Sequence, residues 1–261
     1  FEKHQQQGGR GRDVTLGAGA AALVDRSIGE VSIDSRPVLI VTGLPQEARI
    51  AAGPGMIVIC SSSDPRQLRN LLSTLDSSTF RGVVSFGVAG GLDPSLRTGD
   101  VVVATEVAAG DMRWLAGSSL NEEVIASIAL KRRRVVRGAL VGVEQVVAGR
   151  SCKAALRSVT GAAAVDMESH IAAAYAAEAG LPFAALRVIS DPAHRALPAL
   201  AQSAIKPNGD IDLRTVLRGL ARNPLTLRSL VSTGLDFNRA LKSLRGCKGL
   251  LGEESLVSAT A

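Results

Sequence analysis

Two acidic motifs, one helix apart, constrain this sequence more than any other feature. Val165-Asp166-Met167-Glu168-Ser169 closes one apolar stretch, and Phe183 to Ile189 runs into Ser190-Asp191 at the end of another. Between them lie a helix-sized alanine-rich segment, Ile171 to Ala179, and a Gly180-Leu181-Pro182 stop. Apolar run, acid, helix, turn, apolar run, acid predicts a βαβ unit with parallel strands, so both acids leave the sheet at its carboxyl edge. Open α/β sheets bind ligands at that edge. A carboxylate at each strand end there predicts a polyol clamp beside a general acid.

The rest of the chain fits the same architecture. Aromatic residues make up 3% of a sequence that is 46% hydrophobic, so the core is built from Val, Leu, Ile and Ala. Strands buried on both faces read as such continuous aliphatic runs. We expect strands at Val38–Val41, Met56–Cys60, Val83–Phe86, Val101–Ala104 and Val135–Val143. Helices are expected from Pro65 to Leu75, from Asn121 to Arg132 and from Ser151 to Ser158. Asp64 is the N-cap expected before a proline at the first helical position. Trp114, with Met112 and Arg113, is expected in a loop near a pocket or an interface. The fold class is therefore α/β: a three-layer α/β/α sandwich around a mixed, largely parallel central sheet, with a C-terminal helical extension. Residues 1–36, which begin polar and glycine-rich, are expected to be disordered or weakly structured. Residues 37–210 form the main domain, and residues 211–261 a basic amphipathic extension with helices over 212–222 and 225–244.

Composition excludes several classes. Cys60, Cys152 and Cys247 are odd in number and scattered, which argues against a disulfide framework or a zinc site and for a reducing cytoplasm. The three histidines, His4, His170 and His194, are too dispersed for a metal cluster. No apolar run approaches the about 18 residues of a membrane span, and the first residues carry no apolar signal-peptide core. No metal or organic cofactor is expected.

Three constellations carry chemistry, each beside a plainer reading. Gly87, Gly90 and Gly91 follow a buried strand; they make either a tight turn or a place where a ligand approaches backbone N–H groups. Asp93-Pro94 follows at once, so the segment does not open a helix and is not a dinucleotide fingerprint. Glu168 at a helix start either complements the helix dipole or offers two acceptor oxygens to adjacent ribose hydroxyls. Met167 then supplies a soft apolar wall. Asp191 before Pro192 either shapes a turn or, in a dry cleft, holds a proton for a leaving group.

Gly87-Val88-Ala89-Gly90-Gly91-Leu92 with Leu96, Gly99-Asp100-Val101-Val102, Val165-Asp166-Met167-Glu168 and Arg187-Val188-Ile189-Ser190-Asp191, in this order, resemble the nucleoside phosphorylase/nucleosidase superfamily over residues 37–205. That family includes purine nucleoside phosphorylases and methylthioadenosine/S-adenosylhomocysteine nucleosidases. Thr42-Gly43-Leu44-Pro45-Gln46-Glu47-Ala48-Arg49-Ile50-Ala51 and the basic C-terminus resemble its hopanoid-associated subgroup, linked to adenine release from adenosylhopane. The resemblance implies that Glu168 binds the ribose hydroxyls with Met167 against the nucleoside, and that Asp191, beside Ser190, protonates the purine. It places Glu47 near the carboxylate that activates water, and Gly87, Val88, Gly90 and Gly91 around the sugar and nucleophile. It also implies a homo-oligomer. Two positions depart from the pattern. Val88 stands where many relatives carry Ser or Thr, and aliphatic Val146 and Val147 stand near the base-stacking aromatic of the nucleosidases. Water and phosphate both stay open as nucleophile, with phosphate then a co-substrate. A soluble methylthioadenosine-type nucleosidase and a non-catalytic nucleoside-binding protein are the alternatives.

The net charge is +6, and the basic residues of the C-terminal extension set where it acts. Arg214, Arg218, Arg222, Arg228, Arg239, Lys242, Arg245 and Lys248 face only Asp236 between residues 213 and 251. Leucines recur among them at helical spacing. This segment either docks on the core with a solvated basic face or lies on the anionic inner surface of the membrane. Without interleaved aromatics, nucleic acid is not the expected partner.

Overall fold

The computed structural model describes residues 34–116, 134–198 and 226–247. The helices expected over 121–132 and 212–222, and the segment before residue 34, lie outside the described residues. The elements run β1 (Val38–Thr42), α1 (Pro45–Ala51), β2 (Met56–Cys60), α2 (Pro65–Ser73), β3 (Gly82–Gly91), β4 (Val101–Ala109) and β5 (Met112–Leu115). There follow β6 (Val135–Gly142), α3 (Arg150–Thr160), β7 (Ala164–Asp166), α4 (Ser169–Glu178), β8 (Phe183–Asp191) and α5 (Thr226–Arg245).

Residues of one strand alternate between two faces, and β1 shows what each face meets. Leu39 and Val41 join a core with Leu68 and Leu72 of α2 and Ile171, Ala172 and Ala176 of α4. Val38 and Ile40 join a second core with Ile50 and Ala51 of α1 and Ala240, Leu241 and Leu244 of α5. The α/β layered expectation is therefore borne out: helices cover both faces of a mixed sheet, in which, among the described residues, five of eight strand pairings are parallel. Asp64 caps α2 as expected, accepting from Arg66 N and Gln67 N.

Several expectations need correction. The glycine segment is not a turn: β3 continues through it to Gly91. Val83 to Ala89 pair with β8 in parallel, the register shifts after Ala89, and Gly90 and Gly91 pair antiparallel with Val165 and Ala164 of β7. Side chains would crowd that bend. A Cβ at Gly90 would lie 3.2 Å from Val165, and one at Gly91 3.2 Å from Ile189. The two acid-bearing strands are not a simple parallel pair either. β7 and β8 both bond to β3, one antiparallel and the other parallel. β8 also pairs with β4, β4 with β6 and β6 with β7, so the sheet closes on itself. The acids converge through this closure and not through parallel neighbours. Met112, Arg113 and Trp114 are in no loop; they belong to β5, antiparallel to β4.

The basic C-terminal helix α5 docks on the core. Ala240, Leu241 and Leu244 are buried with Cys247 just beyond it, and Ser243 Oγ donates to Gly99 O at 2.6 Å. The cationic Arg228, Arg239, Lys242 and Arg245 face outward, with Val231 and Leu235 also exposed. Among the described residues no helix is long and apolar enough to cross a membrane.

Candidate active site

A cleft of about 150 Å³ opens where β1, β3, β7 and β8 end. Its first wall is the turn from β1 into α1. Leu44 at the N-cap has no side-chain oxygen to bond the first helical N–H groups, and Glu47 at the third helical position reaches back instead. Its Oε2 accepts from Gly43 N and Leu44 N, both at 2.9 Å. Its Oε1 accepts from Val88 N of β3 at 2.7 Å. Glu47 is 1% exposed. Burial raises its proton affinity, against the Arg187 charge and the three N–H donors.

The second wall is the start of α4. Asp166 caps this helix: its Oδ1 accepts from Glu168 N at 2.9 Å and Ser169 N at 2.7 Å. That leaves the Glu168 side chain to the cleft. Glu168 Oε2 lies 3.5 Å from Arg187 Nη2, and Oε1 accepts from Ser61 Oγ at 3.4 Å. Burial, with help from the Asp166 and Glu47 charges and against Arg187, pushes the Glu168 carboxyl up to about 7. Gly43 permits the approach, since a Cβ there would lie 2.5 Å from Glu168 Oε1.

Behind both walls stands Arg187 of β8, fully buried. It pairs with Asp166 at 3.1 Å and donates to Ser85 Oγ at 2.6 Å and Ser169 Oγ at 3.2 Å. The sequence quotes this arginine within a motif but gives it no role. An arginine inside an otherwise apolar strand is the signal that identifies it, because a buried guanidinium needs carboxylate partners.

Asp191 ends β8 on the opposite side. Its Oδ1 accepts from Ser190 Oγ at 2.7 Å, and its Oδ2 meets Lys153 Nζ at 2.5 Å. Burial raises its proton affinity while Lys153 lowers it. A Cβ on Gly90 would stand 3.2 Å from Asp191 Oδ2, so the glycine leaves this carboxyl open to the cleft. The remaining lining is aliphatic: Leu44, Val143, Val146, Val147, Met167 and Leu197.

The structure thus brings Glu47, Glu168, Asp191, Met167, Val88, Gly90, Val146, Val147 and Ser190 to one cleft. Gly87 and Gly91 do not line it. Gly87 sits deeper, where a Cβ would meet Arg187 Nη1 at 2.5 Å and Glu47 Oε1 at 2.7 Å; Gly91 packs on Ile189 and Pro192. Both serve close packing under the site. Sequence reasoning missed Lys153, Ser61 and Ser63. Ser63 lines the cleft, and Ser62 and Ser63 hold left-handed backbone at φ 53° and 60°, a conformation that favours glycine. Three serines in a row before Asp64-Pro65 carry no local signal of a binding role. Among the described residues no cluster of His, Cys, Asp and Glu is arranged to hold a metal ion.

The sequence profile of the Phosphorylase superfamily matches residues 55–209. Solved structures with the same fold include the 5'-methylthioadenosine/S-adenosylhomocysteine nucleosidase of Neisseria meningitidis in complex with methylthio-immucillin-A. It superimposes with a TM-score of 0.61 at 17% identity, over 83% of this chain and 98% of that one. The Helicobacter pylori enzyme of the same name gives 0.59 at 19% identity, over 83% and 96%. Futalosine hydrolase of Helicobacter pylori gives 0.59 at 18%, with the same coverage.

Proposed function

The chain belongs to the phosphorylase superfamily, and from that premise we propose that it cleaves the N-glycosidic bond of a purine nucleoside with water as the attacking group. One observation carries the choice of water. Among the described residues, every ionisable side chain lining the cleft is a carboxyl group: Glu47, Asp166, Glu168 and Asp191. The N–H groups of Gly43, Leu44 and Val88, which would otherwise hold an anion, are already taken by Glu47. A phosphate dianion entering there meets no cationic side chain among the described lining residues and no free donor from that set.

The steps follow from the placement. Glu168 holds the ribose hydroxyls. As the C1′–N9 bond breaks, its electron pair stays on the purine and Asp191 gives a proton to N7. Positive charge grows on the sugar, which the surrounding carboxylates favour by preorganised electrostatics. The water oxygen bonds to C1′ and its proton passes to Glu47. Glu47 Oε1 carries a single protein hydrogen bond, so it has a lone pair left for that water.

The finer proposal concerns the substrate. The aliphatic rim, with half-exposed Val146 at the mouth, supports a nucleoside with a large apolar 5′ group, such as adenosylhopane. The outward cations of α5 with Val231 and Leu235 support work at an anionic membrane surface. The nucleosidase neighbours favour a second reading, methylthioadenosine or S-adenosylhomocysteine as substrate. Free-base release from adenosylhopane, methylthioadenosine and inosine, each with and without phosphate, tests all of this. We expect release that phosphate does not accelerate. A strict phosphate requirement overturns the water reading, and silence on every substrate leaves a binding protein.

A further inference from the structure

Lys153 is the least expected group around the cleft. It sits in the first turn of α3, a helix whose other described residues are partly or fully exposed, yet its side chain has no exposed surface. Its ammonium faces four oxygens: Asp191 Oδ2 at 2.5 Å, Asp191 O at 2.9 Å, Arg195 O at 3.2 Å and Pro192 O at 3.3 Å. One buried charge therefore grips both the carboxyl that ends β8 and the backbone that follows it.

The surroundings make that charge consequential. Among the described residues, the other ionisable groups lining its cleft are acidic. Glu47, Asp166 and Glu168 share its cleft, and Asp236 reaches it from α5. Arg195 is close in sequence but turns away, pairing with Asp236 at 3.2 Å and donating to Ser232 Oγ at 2.7 Å. Among the described residues, Lys153 is the cation paired with Asp191.

We propose that Lys153 is a positioning residue for the cleavage: its ammonium fixes the Asp191 carboxyl at the cleft wall and controls when that carboxyl releases its proton. This rests on Asp191 as the proton donor. The proton itself moves from Asp191 to purine N7, and Lys153 keeps its own throughout. With the ammonium bound to Oδ2 and Ser190 bound to Oδ1, the carboxyl has one orientation. Without the ammonium, a buried carboxyl among other carboxyls keeps its proton to higher pH.

The test is base release from methylthioadenosine across pH by the full chain and by Lys153→Gln, Lys153→Arg and Asp191→Asn. The comparison substrate is 4-nitrophenyl riboside, whose leaving group departs without a proton. An acid catalyst loses activity as pH rises past its pKa, so the alkaline limb of kcat/KM reports Asp191. In Lys153→Gln we expect that limb to move up by about one pH unit or more, and the optimum rate on the nucleoside to fall roughly tenfold. The nitrophenyl riboside rate should change by less than about threefold. Lys153→Arg keeps the charge and should leave the limb in place. Lys153→Met repeats the charge removal should the Gln variant fail to fold. An unmoved limb, or equal losses on both substrates, overturns the role of Lys153. Full nucleoside activity in Asp191→Asn overturns Asp191 as donor instead, so the two failures are separable.

Discussion

Three carboxyl groups, Glu47, Asp166 and Glu168, meet one buried guanidinium, Arg187, at the floor of the cleft. One cation cannot offset three anions at low dielectric, so burial raises proton affinity there. Glu168, whose arginine contact is at 3.5 Å, is pushed up to about 7, and Glu47 is raised as well. A raised carboxyl contributes stability that is full below its ordinary value of 4.5 and is lost as pH climbs through about 7. Denaturant unfolding between those two pH values should therefore show stability falling as pH rises. Glu168→Gln should flatten that fall, with Glu47 and Asp191 accounting for the slope that stays. An unchanged slope would count against a buried, titrating Glu168. At this scale the sequence announced Glu168 and Asp191, because acids ending apolar runs are conspicuous. Lys153 was hidden, because a lysine in a helical stretch reads as solvated until a strand end from elsewhere reaches it.

Helix α5 takes up one of the two settings its sequence left open. Eight basic residues over 213–251 fitted either a docked helix with a solvated basic face or a membrane-surface segment, and Ala240, Leu241 and Leu244 form one stripe that closes the second core. Leu244 is fully buried. Leu244→Ala should cost roughly 3 kcal/mol through lost burial and a residual cavity. Leu235→Ala, at a position 65% exposed, should stay within about 0.5 kcal/mol. Urea titration of both variants checks the contrast, and equal effects would mean that α5 is not held as described. Element positions were legible where a run had a chemical stop, as at Asp64-Pro65 or Gly180-Leu181-Pro182. They were not legible where one strand changes partners. β3 passes from β8 to β7 at Gly90, and nothing local distinguishes that bend from a turn. The three-residue β7 depends on the same long-range pairing.

At the scale of the whole molecule, closure of the sheet sets the cleft's geometry, because the ends of β3, β7 and β8 are tied to one another through β4 and β6. Charge acts over the same dimension. With a net +6 and four acids lining the cleft, the outward cations of α5 are the basis of the membrane proposal. Exposed charges act over about 8 Å at physiological salt. We expect the protein to sediment with phosphatidylserine-containing vesicles, less so as salt rises, and less again for Val231→Asp with Leu235→Asp. Equal sedimentation with neutral vesicles would remove the membrane proposal. Ser62 and Ser63 both hold backbone angles that glycine adopts freely, at a cost of roughly 1 kcal/mol or more each. Glycine at either position would relax the loop, so Ser63→Gly should be no less stable than the parent, and any loss of base release in that variant would be the hydroxyl's own contribution at the cleft wall.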